Sequence, residues 1–379
     1  MTSERIARAT LTAIAEPGDA LLNRIIDHLG PEETLTIIRT SRLPSNLPVT
    51  PKELQRLDHW RIRLATSDPD QDLAICNRLG GRLVCPGDPE WPTTLDDLAD
   101  HRPYALWLRG PGDLRYGCLR SVAIVGSRAA SPYGLRMASD LAANVADQGW
   151  TVISGGALGI DAAAHRGALA ADGPTIAIFA NGVDIPYPAS NERLFAEMAQ
   201  RSLLVSESAP GTAPNRLRFL IRNRVIAALS RGSLIVEAEA RSGALNTAAW
   251  ARKLSRVVMA VPGPITSQTS VGSHKLLREE GSILITRPEE IIEAVGRIGT
   301  DLAPPPYTPV LPRDRLEEVT RSVLEAIPAR GSAGPAQLAA KAGVGLNTVN
   351  AKLGLLAAAG FIERSPSGWR LARQARAPQ

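Results

Sequence analysis

Apolar positions along the chain fall into three successive patterns. In the first, Leu21, Leu22, Ile25, Ile26 and Leu29 recur at helical spacing; Gly30-Pro31 ends that run and Pro31-Glu32-Glu33 opens another. Residues 1–74 are thus expected to form a small helical domain. Its helix–Gly–helix packets suit packing or dimerisation, or minor contacts to a DNA backbone. From 75 to 298 the pattern changes to continuous, β-branched-rich runs at 122–125, 151–153, 175–178, 203–205, 233–236, 257–261 and 283–285, separated by helical segments. Runs without alternation predict strands buried on both faces, as in a parallel sheet covered by helices. The expected fold is therefore α/β, with a doubly wound, mostly parallel sheet whose ligands would sit at the carboxyl ends of the strands. Residues 299–314 hold five prolines and no periodic pattern, which predicts an extended linker. Residues 315–379 read as three helices and a hairpin: Leu316, Val319, Val323, Leu324 and Ile327 share a face, Gly343-Val344-Gly345 turns, Asn347 caps the third helix, and a Ser-Pro-Ser-Gly turn closes a wing. That order predicts a winged helix, with DNA and protein docking both open to it.

Composition narrows the class. No apolar run approaches the roughly 18 residues of a membrane span, and MTSERIARAT lacks the apolar core of a secretory signal. Cys76, Cys85 and Cys118 form no CxxC pair, which fits a reducing cytoplasm and speaks against a zinc ribbon or a disulfide framework. The formal charge is only +5, but its distribution is uneven. Residues 315–379 carry nine basic and four acidic side chains, while 210–260 carry nine basic side chains against Glu237 and Glu239. Two basic concentrations on a non-basic scaffold suggest an anionic polymer as partner.

Four segments could carry chemistry. Gly126-Ser127-Arg128 follows the first long run, and Ser131-Pro132-Tyr133-Gly134 opens a helix. A glycine lets backbone approach a phosphate, a helix start supplies amide donors, and Arg128 adds a bidentate contact. GxGxxG is missing, which excludes the dinucleotide fingerprint. Ser154-Gly155-Gly156-Ala157-Leu158-Gly159 makes a tight turn before a helix on which Asp161 and His165, four residues apart, are expected to touch as a structural pair. Neither has the third partner a metal site requires. Next come Arg216, Arg218, Phe219, Arg222, Asn223 and Arg224. With no carboxylate between Glu207 and Glu237, these arginines are expected to be free for single-stranded nucleic acid, with Phe219 either a stacking platform or core. Lys275 adds charge to a last glycine-rich loop. HExxH, Ser–His–Asp order and the P-loop are all missing.

In order, the motifs IVGSR–SPYG, SGGALGIDAAAHRGAL, NGVDIPYP, SES, FLIRNR, VEAEARSGALNTA and VPGPI…GSHKLL resemble the DNA-processing protein A (DprA/Smf) family over about 83–295. The resemblance implies a Rossmann-like domain flanked by a SAM- or helix–hairpin–helix-like N-terminal domain and a winged helix. It implies a single-stranded DNA-binding mediator of natural transformation, without enzymatic activity or cofactor, that protects incoming DNA, dimerises and loads the RecA recombinase. Arg128 would clamp phosphate, Gly126, Ser127, Gly155, Gly156 and Gly159 would lie near the backbone, and Phe219 would stack on a base. Arg216, Arg218, Arg222, Asn223, Arg224 and Lys275 would complete the cationic edge. Two departures stand out: FLIRNR where the family commonly has FPxRNR, and His274 where it commonly has Asn. A Rossmann-type nucleotide hydrolase is the alternative, weakened because Ser242–Ala249 lacks the second glycine pair and glutamate of PGGxGTxxE. A winged-helix transcriptional regulator is the third reading.

Overall fold

The structure is a computed structural model and describes residues 2–40, 50–279, 281–305 and 311–372. It divides into two compact units, Met1–Pro304 and Pro305–Gln379. The proline-rich segment straddles that division, and its residues 306–310 lie outside the described part.

The first unit is built on nine strands: β1 (Gly81–Val84), β2 (Leu106–Arg109), β3 (Ser121–Val125), β4 (Thr151–Ser154), β5 (Thr175–Phe179), β6 (Leu203–Ser206), β7 (Gly232–Ile235), β8 (Val257–Ala260) and β9 (Ser282–Leu284). They lie in the order β1-β2-β6-β5-β4-β3-β7-β8-β9. All seven expected runs form strands, parallel from β6 across to β9. β1 and β2 were not expected; they add an antiparallel edge on β6. At the other edge β9 departs from the double-sided burial expected of it, because Ile283 and Leu284 are exposed.

Alternate residues on each central strand face opposite layers. Val122 and Ile124 pack under α7 (Pro132–Asp147), α8 (Ile160–Ala170) and α13 (Pro288–Val295), with α9 (Glu192–Arg201) beside them. Ala123 and Val125 pack under α10 (Arg216–Leu229), α11 (Gly243–Lys253) and α12 (Val271–Arg278). The short α6 (Leu114–Leu119) leads into β3. The chain winds outward from β3 to β6, returns through α10, and winds the other way from β7. The loops after β3 and β7 therefore diverge, which opens a crevice at the carboxyl ends.

Five helices, α1 (Ser3–Ile14), α2 (Ala20–Leu29), α3 (Pro31–Thr40), α4 (Pro51–Leu64) and α5 (Pro69–Arg78), precede the sheet. They bury Leu11, Ile14, Leu22, Ile25, Ile38 and Trp60 together with Tyr104. Polar ties fix them to the sheet: Trp107 Nε1 donates to Thr12 Oγ1 at 3.0 Å, Arg5 pairs with Asp88 at 2.9 Å, and Asn23 donates to the Asp100 and Arg102 carbonyls.

In the second unit, α14 (Glu318–Ala326), α15 (Pro335–Ala342) and α16 (Leu346–Ala358) precede a hairpin of β10 (Ile362–Ser365) and β11 (Gly368–Leu371). Val323, Leu338, Val349, Leu353, Leu356 and Ile362 form its core.

Candidate nucleic-acid interface

At the carboxyl ends of β3 and β4 the glycine-rich turns pack on each other. Ser127, buried, donates its N–H to the Glu237 carbonyl at 2.7 Å and accepts from Ile160 N–H at 3.2 Å. A Cβ on Gly126 would strike Ile160 and the Glu237 carbonyl; one on Gly159 would strike the Ser127 carbonyl. Gly156 backs onto the Phe195 ring in the same way. The α7 start, expected to receive phosphate, is capped from within. Ser131 Oγ accepts from Gly134 N–H, and the Glu237 carboxylate, 1% exposed, accepts from Ser131 N–H at 2.9 Å, Ser131 Oγ at 2.6 Å and Thr269 Oγ1 at 3.0 Å. An internal carboxylate thus occupies the positive end of the helix.

The β4 turn is closed likewise. Asp161 accepts from Gly155 N–H at 3.2 Å and Ala157 N–H at 3.4 Å. Burial pushes its carboxyl up, opposed by Arg222 and the turn's amides. His165 does not meet Asp161 as expected; its Nδ1 bonds Thr175 Oγ1 at 2.7 Å instead. Thr175 gives its own hydroxyl proton to the Val152 carbonyl, so Nδ1 carries the imidazole proton. Burial, with Arg222 and Arg166 nearby, pushes the His165 pKa down to about 3.

Helix α10 sorts the predicted arginines. Asn215 caps it by accepting from Leu217 N–H at 2.8 Å. Its first turns project from the rim, and from Arg222 onward every residue is buried. The Arg222 guanidinium lies against Gly155, where any Cβ would collide, and donates to the Gly155 and Ile178 carbonyls. Asn223 donates to the Gly243 carbonyl and to Asn246, joining α10 to α11. Arg224, 3% exposed, forms a bidentate pair with Glu207 at 2.6 Å per bond. Arg218 forms another with Glu16 at 2.8 and 3.0 Å. The expectation that these arginines lack carboxylates is therefore corrected. Glu207 closes β6, and Glu16 comes from the far N-terminal loop.

What stays on the surface is a smaller cluster. Exposed Arg128 holds its guanidinium 4.8 Å from the centroid of the half-buried Phe219 ring, a cation–π contact. Tyr187, exposed, tilts against the same ring with centroids 5.6 Å apart. Arg216 lies one helical turn before Phe219, exposed and without an ion pair among the described residues. Lys275 is also exposed, but no contact joins it to this cluster; its neighbour His274 bonds the Gly263 carbonyl at 2.9 Å. Tyr187 joins this cluster although no charge pattern in the sequence points to it. Its signal was an aromatic between two prolines in the loop after β5.

These features define a mostly parallel α/β protein presenting arginine and aromatic side chains at the carboxyl ends of its sheet. The chain belongs to the DNA recombination-mediator protein A family, whose profile matches residues 82–296. It is 42% identical over 377 residues to a Mycobacterium tuberculosis chain bearing the name DNA processing protein DprA, covering 97% of this chain and 94% of that one. The DNA processing protein DprA of Streptococcus pneumoniae is 38% identical over 205 residues, 54% of this chain and 71% of that one. The X-ray structure of DprA from S. pneumoniae superposes with a TM-score of 0.62 at 26% identity, covering 78% of this chain and 99% of that one. A Helicobacter pylori DNA processing protein A, solved to describe its single-stranded DNA binding mode, gives 0.50 at 30% identity, covering 56% and 94%.

Proposed function

We propose that this chain is a single-stranded DNA-binding recombination mediator acting without catalysis or cofactor. In this reading it is a cytoplasmic homodimer that protects single strands taken up in natural transformation and delivers them to a RecA-type recombinase. Arg128, Arg216, Phe219 and Tyr187 make the contact. The observation that carries the reading is the Arg128–Phe219–Tyr187 cluster, in which exposed Arg128 and Tyr187 flank the half-buried Phe219 ring and pair guanidinium for phosphate with rings for bases. Gly126, Ser127, Gly155, Gly156, Gly159, Arg222, Asn223 and Arg224 act behind it as its support. Glu237 and Asp161, the carboxylates nearest a hydrolase's needs, are consumed by backbone and hydroxyl donors, which speaks against nucleotide cleavage. The second unit is read as the winged helix. Its α16 offers Asn347 and Asn350, while Lys352 is drawn to Glu317 at 2.5 Å, a poor set for reading one duplex sequence.

A salt-titrated anisotropy comparison of single- and double-stranded oligonucleotides tests this. Single strands bind tighter, affinity falls steeply with salt, and Arg128→Ala weakens binding to every sequence while lowering the salt slope by about one. Equal affinity for both forms would refute the reading. Phe219→Ala and Tyr187→Ala each cost about 1–3 kcal/mol of binding if a base stacks on that ring.

A further inference from the structure

Of the nine basic side chains in 210–260, Arg231 does not belong to the carboxyl rim. Its backbone N–H bonds the Ser121 carbonyl and its own carbonyl accepts from Val257 N–H, which sets it at the amino ends of β3, β7 and β8. The same end carries α6, whose last residues run straight into β3. Tyr116 there is 73% exposed and Leu119 60% exposed. The Tyr116 ring and hydroxyl have no partner among the described residues; only its N–H is engaged, by the capping Asp113 carboxylate at 2.8 Å. Arg115, Arg120 and Arg231 are exposed, and none pairs with a carboxylate among the described residues. Two are held in place without being neutralised: Arg115 donates to the Pro89 carbonyl at 3.2 Å, and Arg120 lies 5.1 Å from the centroid of the buried Trp150 ring.

We infer that this amino-end patch is a second contact for single-stranded DNA, with Tyr116 as its stacking ring and Arg115, Arg120 and Arg231 on the phosphates. The inference rests on the single-strand reading above and extends it. The two patches share one chemistry, uncompensated guanidinium beside an accessible ring, and β3 joins them directly. Arg120 precedes that strand and Arg128 follows it, so eight residues of nearly extended chain set their backbones roughly 29 Å apart at most. A single strand leaving the Phe219 platform reaches the second patch once it is several nucleotides long. Oligonucleotides short enough to fill one rim never engage both.

The test is the length dependence of binding by the full chain, using oligothymidylates from about 5 to about 30 nucleotides. Tyr116→Ala weakens long oligonucleotides about tenfold and leaves the shortest unchanged. An Arg115→Ala/Arg231→Ala variant lowers the salt slope for long oligonucleotides by about 1.4 and again spares the shortest. Arg128→Ala weakens both lengths. If Tyr116→Ala and the double variant bind every length as wild type does, the proposal is overturned, and the patch belongs to an acidic protein surface. A loss that falls equally on the shortest oligonucleotides also overturns it, because the effect then lies in the first rim or the fold. Failure of the wild-type chain to prefer single strands at any length brings down the underlying reading, and this one with it.

Discussion

Replacing Glu207 with leucine is expected to destabilise the sheet-bearing unit by about 3–5 kcal/mol, a large share of the roughly 5–15 kcal/mol that holds a typical domain folded. The loss comes from the partner left behind. Arg224 would remain buried with its charge uncompensated, and its Nε already lacks an acceptor. Nor can the guanidinium swing away. Gly18, at φ +66°, lies flat against it in a space no Cβ could share, and the loop carrying Gly18 is held by Tyr104, whose hydroxyl donates to the Glu16 carbonyl at 2.9 Å and accepts from Asp19 N–H at 2.8 Å. The pair therefore ties the end of β6 to α10, and the N-terminal loop packs on it through Gly18. Urea unfolding followed by tryptophan emission measures it cleanly, because Trp60, Trp91, Trp107, Trp150 and Trp250 lie in this unit and only Trp369 in the other. The double replacement Glu207→Leu/Arg224→Met recovers part of the loss, since no lone charge then stays buried. A midpoint that Glu207→Leu leaves in place would show that the pair contributes nothing net.

Acidification is expected to weaken the same unit as soon as the pH falls below the ordinary histidine range. The His165 pKa falls from the ordinary 6.5 to about 3 in the folded chain, so the unfolded chain takes up the proton first. Stability from this group is complete above pH 6.5 and drains away, at about 1.4 kcal/mol per pH unit, as the pH falls toward about 3. Asp161 works in the opposite sense, because its raised pKa favours proton uptake by the folded state at the acid end. The comparison therefore belongs between pH 7 and pH 5, with Asp161 present in both proteins. His165→Asn keeps a donor for Thr175 and cannot titrate; its unfolding free energy should change by about 2 kcal/mol less than wild type over that interval. Parallel pH profiles would sink the assignment.

Much of the sheet could be read from the sequence because β3 to β8 are buried on both faces, which leaves continuous β-branched runs. The antiparallel edge could not. Gly81-Arg82-Leu83-Val84 opens with glycine and arginine, and Leu106-Trp107-Leu108-Arg109 has no β-branched residue. The aromatic–arginine chemistry of α10 was equally visible, but the division of its arginines was not. That division depends on Glu16, 202 positions away from Arg218, and on α10 passing from an open rim to burial on all sides at Arg222. No local periodicity encodes either fact. The charge excess over 210–260 overstates the free cations for the same reason, since Arg252 and Arg256 also answer to carboxylates outside it, Glu279 and Asp97.

The carboxylate of Glu237 at the start of α7 bears on what kind of molecule this end of the sheet can select. A free mononucleotide depends on one good seat for its phosphate, and here that seat is already filled by a fixed negative charge. A polymer depends on no single seat, because it spreads its charge over many weak contacts along a surface. Monomers abundant in the cell would then compete poorly for the rim. The discrimination between chain and building block would come from a vacancy closed within the fold rather than from a contact added to it.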